Sequence, residues 1–217
     1  MTNFGDMSFR FPETEADIDE WYCPRVINAA KCIRNYAYTC LRPLPRQLVK
    51  LFVADNKTQS DACEGSPEVR RDRIIPYFKC LNKAIGGIHE CARKTSHAMN
   101  HINYHVPGAN SEKKFQYTCR EYHDLSCCVQ QQLTLSCSPD VAEIGKVYFD
   151  RATHTTANFM CRFYPKESPY LLDLPPIDYT DDANLHTSCE TSKSILVGLV
   201  DLYNRANEEI IDAVKTQ

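Results

Sequence analysis

Ten of the twelve cysteines fall into two series with matching spacing. Cys23, Cys32, Cys40, Cys63 and Cys91 form the first, and Cys119, Cys128, Cys137, Cys161 and Cys189 the second. Equivalent members are offset by 96, 96, 97, 98 and 98 residues, so two single-residue insertions account for the whole drift. Agreement at five positions points to a duplicated unit of about half the chain. Cysteines held at fixed spacings are also the framework of a disulfide-stabilised secreted protein. All twelve therefore read first as structural, with Cys80 and Cys127 standing outside the repeat.

A chain of 217 residues can form one large domain or two of about 100 residues each. With 43% apolar residues it can bury a real core, which the bridges reinforce and do not replace. A formal charge of −3 argues against duplex nucleic acid, which calls for a basic face. No run of 18 apolar residues is present, as a membrane-spanning helix would need. Residues 1–21 lack the basic and apolar regions of a signal peptide. The compartment expected is nevertheless extracellular, with the leader absent from this sequence. The competing reading, a cytosolic protein that binds metal through its cysteines, lacks the Cys-x-x-Cys pairs that zinc modules use. Asn56-Lys57-Thr58 is a sequon compatible with glycosylation.

Seven glycines and no Asn-Gly or Asp-Gly turn make poor material for a β-rich scaffold, and the apolar periodicity is helical. Leu196, Leu199, Val200, Tyr203, Ala206, Ile210 and Val214 form the clearest stripe. The expectation is an all-α protein made of two tandem disulfide-stapled three-helix repeats packed into one body. Residues 1–22 are an N-terminal arm and the start of the first helix, 23–108 the first repeat and 109–217 the second. Helices are expected at 15–41, 45–61 and 70–104, then at 112–137, 140–160 and 182–214. Pro24 should interrupt or restart the first helix, Pro76 should break the third, and Gly86-Gly87 should soften it. Prolines at 165, 169, 175 and 176 predict an extended, surface-laid loop over 162–178.

Five cysteines per repeat cannot all pair internally. Either Cys80 and Cys127 each complete three bridges within their own repeat, or they join each other across the repeats. In the second case a further pair such as Cys32 and Cys128 must also cross or stay reduced. Three plus three is preferred, because each unit then closes independently.

Two clusters suggest chemistry. Around Cys119, Cys127 and Cys128, the His123-Asp124 dipeptide is similar to the helix of calcium-dependent secreted phospholipases A2, in which histidine activates water and aspartate holds calcium. That family places its adjacent cysteines before the dipeptide, whereas here they follow it, and the glycine-rich calcium loop is missing from 109–118. The plainer reading is a surface dipeptide on a disulfide-anchored helix. His97, His101 and His105 recur every four residues along one helical face, where two imidazoles could share zinc or copper. The plainer reading there is a polar stripe near a helix end. No serine-nucleophile elbow or phosphate-cradling glycine loop is present, and no cofactor is implied.

The second repeat resembles the arthropod 27-kilodalton hemolymph glycoprotein group. Cys119, the step from it to Cys128, Cys137-Ser138-Pro139 and Asn158-Phe159-Met160-Cys161 carry the resemblance, over about 110–190. Similar helical cysteine repeats occur in secreted nematode proteins. The Cys127-Cys128 pair and the proline-rich 162–178 stretch depart from that pattern. The resemblance implies a mostly helical protein of extracellular fluid, with no established catalytic role and no site residues to carry over. The function expected is non-enzymatic binding. The ligand is a small hydrophobic molecule, held between the apolar stripes, or another extracellular protein or matrix, met by some of the twelve tyrosines and nine phenylalanines.

Overall fold

A computed structural model describes residues 8–43, 46–47, 49–50, 57–106 and 111–175. All regular structure among these residues is helical, with no strand, as the periodicity predicts. We number the helices α1 (Cys23–Cys40), α2 (Lys57–Cys63), α3 (Ile75–His105), α4 (Ser111–Ser136), α5 (Pro139–Cys161) and α6 (Pro169–Leu172). None of the helices searched among the described residues is long and apolar enough to cross a membrane. Asn56, Cys189 and the stripe at 190–214 lie outside the described residues.

Two of the helices begin in the same way. A short turn, Glu15–Asp17, leads into a π-helical stretch at Ile18–Tyr22 and then into α1 with Pro24 in its first turn. Another short turn, Pro67–Val69, leads through a second π stretch at Arg70–Ile74 into α3, where Pro76 follows its first residue. Proline lacks an N–H and crowds the carbonyl four residues back, so it disrupts an ordinary α-helix interior. Widening the preceding turn to the i→i+5 pattern changes that register, and the N–H groups of Cys23 and Ile75 reach back to Ile18 and Arg70. The expected breaks at Pro24 and Pro76 are thus replaced by π turns through which the helices continue. Gly86 and Gly87 are helical as well.

The chain forms two compact units, and neither is a contiguous half. The first comprises Met1–Glu90 and Ser126–Thr156, the second Cys91–Leu125 and Ala157–Gln217. Helices α3, α4 and α5 each contribute residues to both.

Aromatic rings fill the first unit. Phe78 is fully buried, with Phe11 stacked on it at 5.1 Å and Tyr22 against it edge-on at 5.2 Å. Tyr77 lies 5.2 Å from Tyr148 on α5, whose hydroxyl donates to Asp61 at 2.9 Å. Asn82 on α3 fastens the N-terminal arm, accepting from the Phe11 N–H at 2.7 Å and donating to the Phe11 carbonyl at 3.0 Å. Arg70 links the two π turns by pairing with Asp19 at 2.8 Å, and it also donates to the Cys63 carbonyl. A β-carbon at Gly87 would collide with the Gln132 side chain of α4, so glycine here permits a close approach of α3 and α4.

Among the described residues of the second unit, Met99, Ile102 and Tyr117 form a buried cluster, with Val106, Phe115 and Leu174 packed around them. Thr118 is almost fully buried there and donates its hydroxyl to the Lys114 carbonyl one turn earlier, which removes the cost of an unpaired polar group.

Cys23 bonds to Cys63 and Cys119 to Cys161, so the first and fourth members of each cysteine series are joined in the same way. The third bridge described, Cys80–Cys137, overturns the preferred three-plus-three scheme because it links a residue of the first sequence repeat to one of the second. Cys80 on α3 and Cys137, just past the end of α4, have Cα atoms 5.4 Å apart, well within bonding range. Cys91 and Cys128 are also disulfide-bonded. The expectation that every cysteine is bridged is corrected at three positions. Cys32 and Cys40 are free, exposed thiols on α1, and Cys127 is likewise an exposed thiol. Eight residues of helix separate Cys32 from Cys40 by about 12 Å, too far for a mutual bridge.

Candidate interaction surface

The segment that follows α5 is built around two side chains of α4 within the second unit. His123 donates from Nε2 to the Tyr164 carbonyl at 3.1 Å. Three residues earlier, and so on the same helical face, Arg120 donates to the carbonyls of Leu174 and Pro175, both at 3.0 Å. The Arg120 guanidinium also lies 5.0 Å from the centre of the Tyr117 ring. These contacts fasten the segment at both ends. Between them the chain makes turns and the short helix α6, with Pro169 at its start, so the extended loop expected over 162–178 is partly helical.

This segment turns some of its apolar side chains inward and others outward. Leu171 and Ser168 are buried, whereas Phe163, Tyr170 and Leu172 are 68%, 63% and 71% exposed. The Arg162 guanidinium sits 4.4 Å from the Phe163 ring centre, and Tyr164 meets Tyr170 edge-on at 6.4 Å. Burial and the nearby Glu112 carboxylate push the Tyr164 hydroxyl above its ordinary value, in that order of importance. Exposed Phe, Tyr and Arg on a fastened backbone have the composition of a protein-binding surface. Aromatic residues among helix-breaking prolines were the sequence signal for it, but their overall abundance hid which ones face solvent.

The two chemical clusters take other forms. His123 is occupied as a backbone clamp, while Asp124, the next residue on the helix, is exposed. His101 and His105 stack with ring centres 4.7 Å apart and planes at 28°. Ring nitrogens project in the ring plane, so stacked imidazoles do not aim both lone pairs at one ion. His97 Nε2 meets Arg93 Nη1 at 3.5 Å, where a cation already stands. Among the described residues no group of three metal-ligating side chains converges.

Comparison with family models, with curated proteins and with solved structures finds no match.

Proposed function

We propose that this chain is a secreted, non-enzymatic binding protein that acts through protein–protein contact, with the segment at 162–172 as its contact surface. The observation that carries this reading is the exposure of Phe163, Tyr170 and Leu172 on backbone fastened by His123 and Arg120. A preorganised aromatic surface loses little conformational freedom on binding, which favours affinity. Disulfide bonding supports an extracellular setting. The resemblance to hemolymph glycoproteins fits the same setting.

The test is capture from extracellular fluid by chemical crosslinking, comparing the parent with a Phe163→Ala, Tyr170→Ala, Leu172→Ala variant of equal thermal stability. A specific partner held by the parent and lost by the variant is expected; equal capture by both contradicts the assignment. Carriage of a small apolar ligand is the second reading, favoured by the apolar Met99, Ile102 and Tyr117 cluster. Native mass spectrometry separates the two, because a carrier retains a stoichiometric lipid or pigment that organic solvent releases.

A further inference from the structure

The cysteine register aligns α1 with α4. Cys32 and Cys128 are equivalent, Cys40 and Cys137 are equivalent, and Tyr36 and Gln132 each lie four residues beyond the first member. Within the first unit, the C-terminal part of α4 and the residue that follows it lie against a helix. Gln132 packs against Gly87 of α3, Cys137 is bonded to Cys80 of α3, and Cys128 is disulfide-bonded. Moving along α4 from Gln132 to Cys137 while α3 runs back from Gly87 to Cys80 shows that the two helices pair antiparallel there.

On α1 the aligned stretch is exposed along one row. Cys32, Tyr36, Thr39 and Cys40 are exposed, with Tyr36 at 59%, although Ala30 and Ala37 on the other side of the helix are buried. Residues 32, 36 and 40 form one row, since positions four apart stack on a helix. Ala29, Ile33 and Thr39 flank that row, and no charged side chain lies within it from 29 to 40. Cys32 and Cys40 keep free thiols in a chain that has eight disulfide-bonded cysteines among the described residues. An unbridged cysteine in a disulfide-stabilised protein is a signature of intermolecular pairing.

We propose that this face of α1 docks a second copy of the same chain, α1 against α1 and antiparallel, with Cys32 of each copy bonded to Cys40 of the other. The row suits that partner. Each cysteine lies four residues from Tyr36, so a two-fold axis near Tyr36 brings unlike cysteines together at both ends. The tyrosine rings pass side by side as an offset pair. An uncharged row lets two identical surfaces approach without like-charge repulsion, and such two-fold dimers are the commonest assembly of identical chains. This dimer does not depend on the 162–172 surface.

Bridge formation proceeds by thiol–disulfide exchange with a small-molecule disulfide such as oxidised glutathione. One protein thiolate attacks it and displaces a small thiol. The opposing thiolate then attacks the mixed disulfide and displaces the second. For each bridge two protein thiols become one disulfide, one small disulfide becomes two thiols, and the protons end on the released thiols.

The full chain, incubated in a glutathione redox buffer, should double from its 24.9 kDa mass on a non-reducing gel and by light scattering, and reductant should return the gel band to single mass. Peptide mapping should find Cys32 joined to Cys40 of the other copy. Because each bridge uses one of each, C32S alone and C40S alone should both abolish the covalent dimer. Alkylating the two thiols on the native monomer should do the same without any substitution. A chain that stays monomeric with both thiols open to alkylation overturns the proposal. So do Cys32–Cys32 or Cys40–Cys40 links, a bond to Cys189, or a bond to a different protein.

Discussion

Three buried tyrosines set how this protein responds to alkali. Burial pushes the Tyr22 hydroxyl up to about 12 and raises Tyr77 as well; it also raises Tyr148, whose hydroxyl is further held protonated by its bond to Asp61. In the unfolded chain a tyrosine ionises near 10. Below that value both states are neutral and these residues make stability independent of pH. Above it the unfolded chain loses protons that the folded protein keeps, so stability falls as pH rises from about 10 through 12. For Tyr22 alone the loss approaches about 3 kcal/mol. Urea midpoints measured between about pH 8 and pH 11 should fall, and Tyr22→Phe should flatten the decline. Gly87 offers a test of packing at the same scale. Gly87→Leu should cost about 1–3 kcal/mol by overpacking against Gln132, with part of it recovered when Gln132→Ala is added. A double-mutant cycle in urea measures that coupling.

At the scale of elements, each π stretch is preceded by a cap. Thr14 Oγ1 accepts from the Asp17 N–H at 3.1 Å, and Ser66 Oγ accepts from the Val69 N–H at 3.4 Å. Thr14→Ala and Ser66→Ala should each lower stability by about 1 kcal/mol in denaturant titrations. The Ser66 hydroxyl is the largest of several causes that hold the Glu68 carboxyl below its ordinary value, and proton-carbon NMR should show that displacement shrink in the alanine variant. Helices were legible in the sequence because apolar residues recur with helical period and few glycines or turn dipeptides compete. What happens at Pro24 and Pro76 was not, because the π turns that absorb those prolines leave no distinctive residue pattern. The role of His123 was hidden for a related reason. Its acceptor is the carbonyl of Tyr164, 41 residues away, and a backbone oxygen has no sequence signature.

For the molecule as a whole, the cysteine register revealed a repeat but not its connectivity, neither the two bridges that join equivalent members nor the one that joins the repeats. Cys23–Cys63 and Cys119–Cys161 close loops with separations of 40 and 42 residues. A chain-entropy argument gives each about 4 kcal/mol. Replacing either pair by serine should therefore lower thermal stability by nearly the same amount, and a clear inequality in calorimetry would point to native-state packing around one bridge. Pairing across repeats depends on which helix faces which, information that spacing along the chain does not carry. The Cys80–Cys137 bond has a consequence for the continuity of the polypeptide itself. It spans 57 residues that include the exposed Lys94 and Lys113. A protease that nicks the backbone after either lysine leaves two pieces still covalently attached. The product should run as one species until a reductant parts it into two.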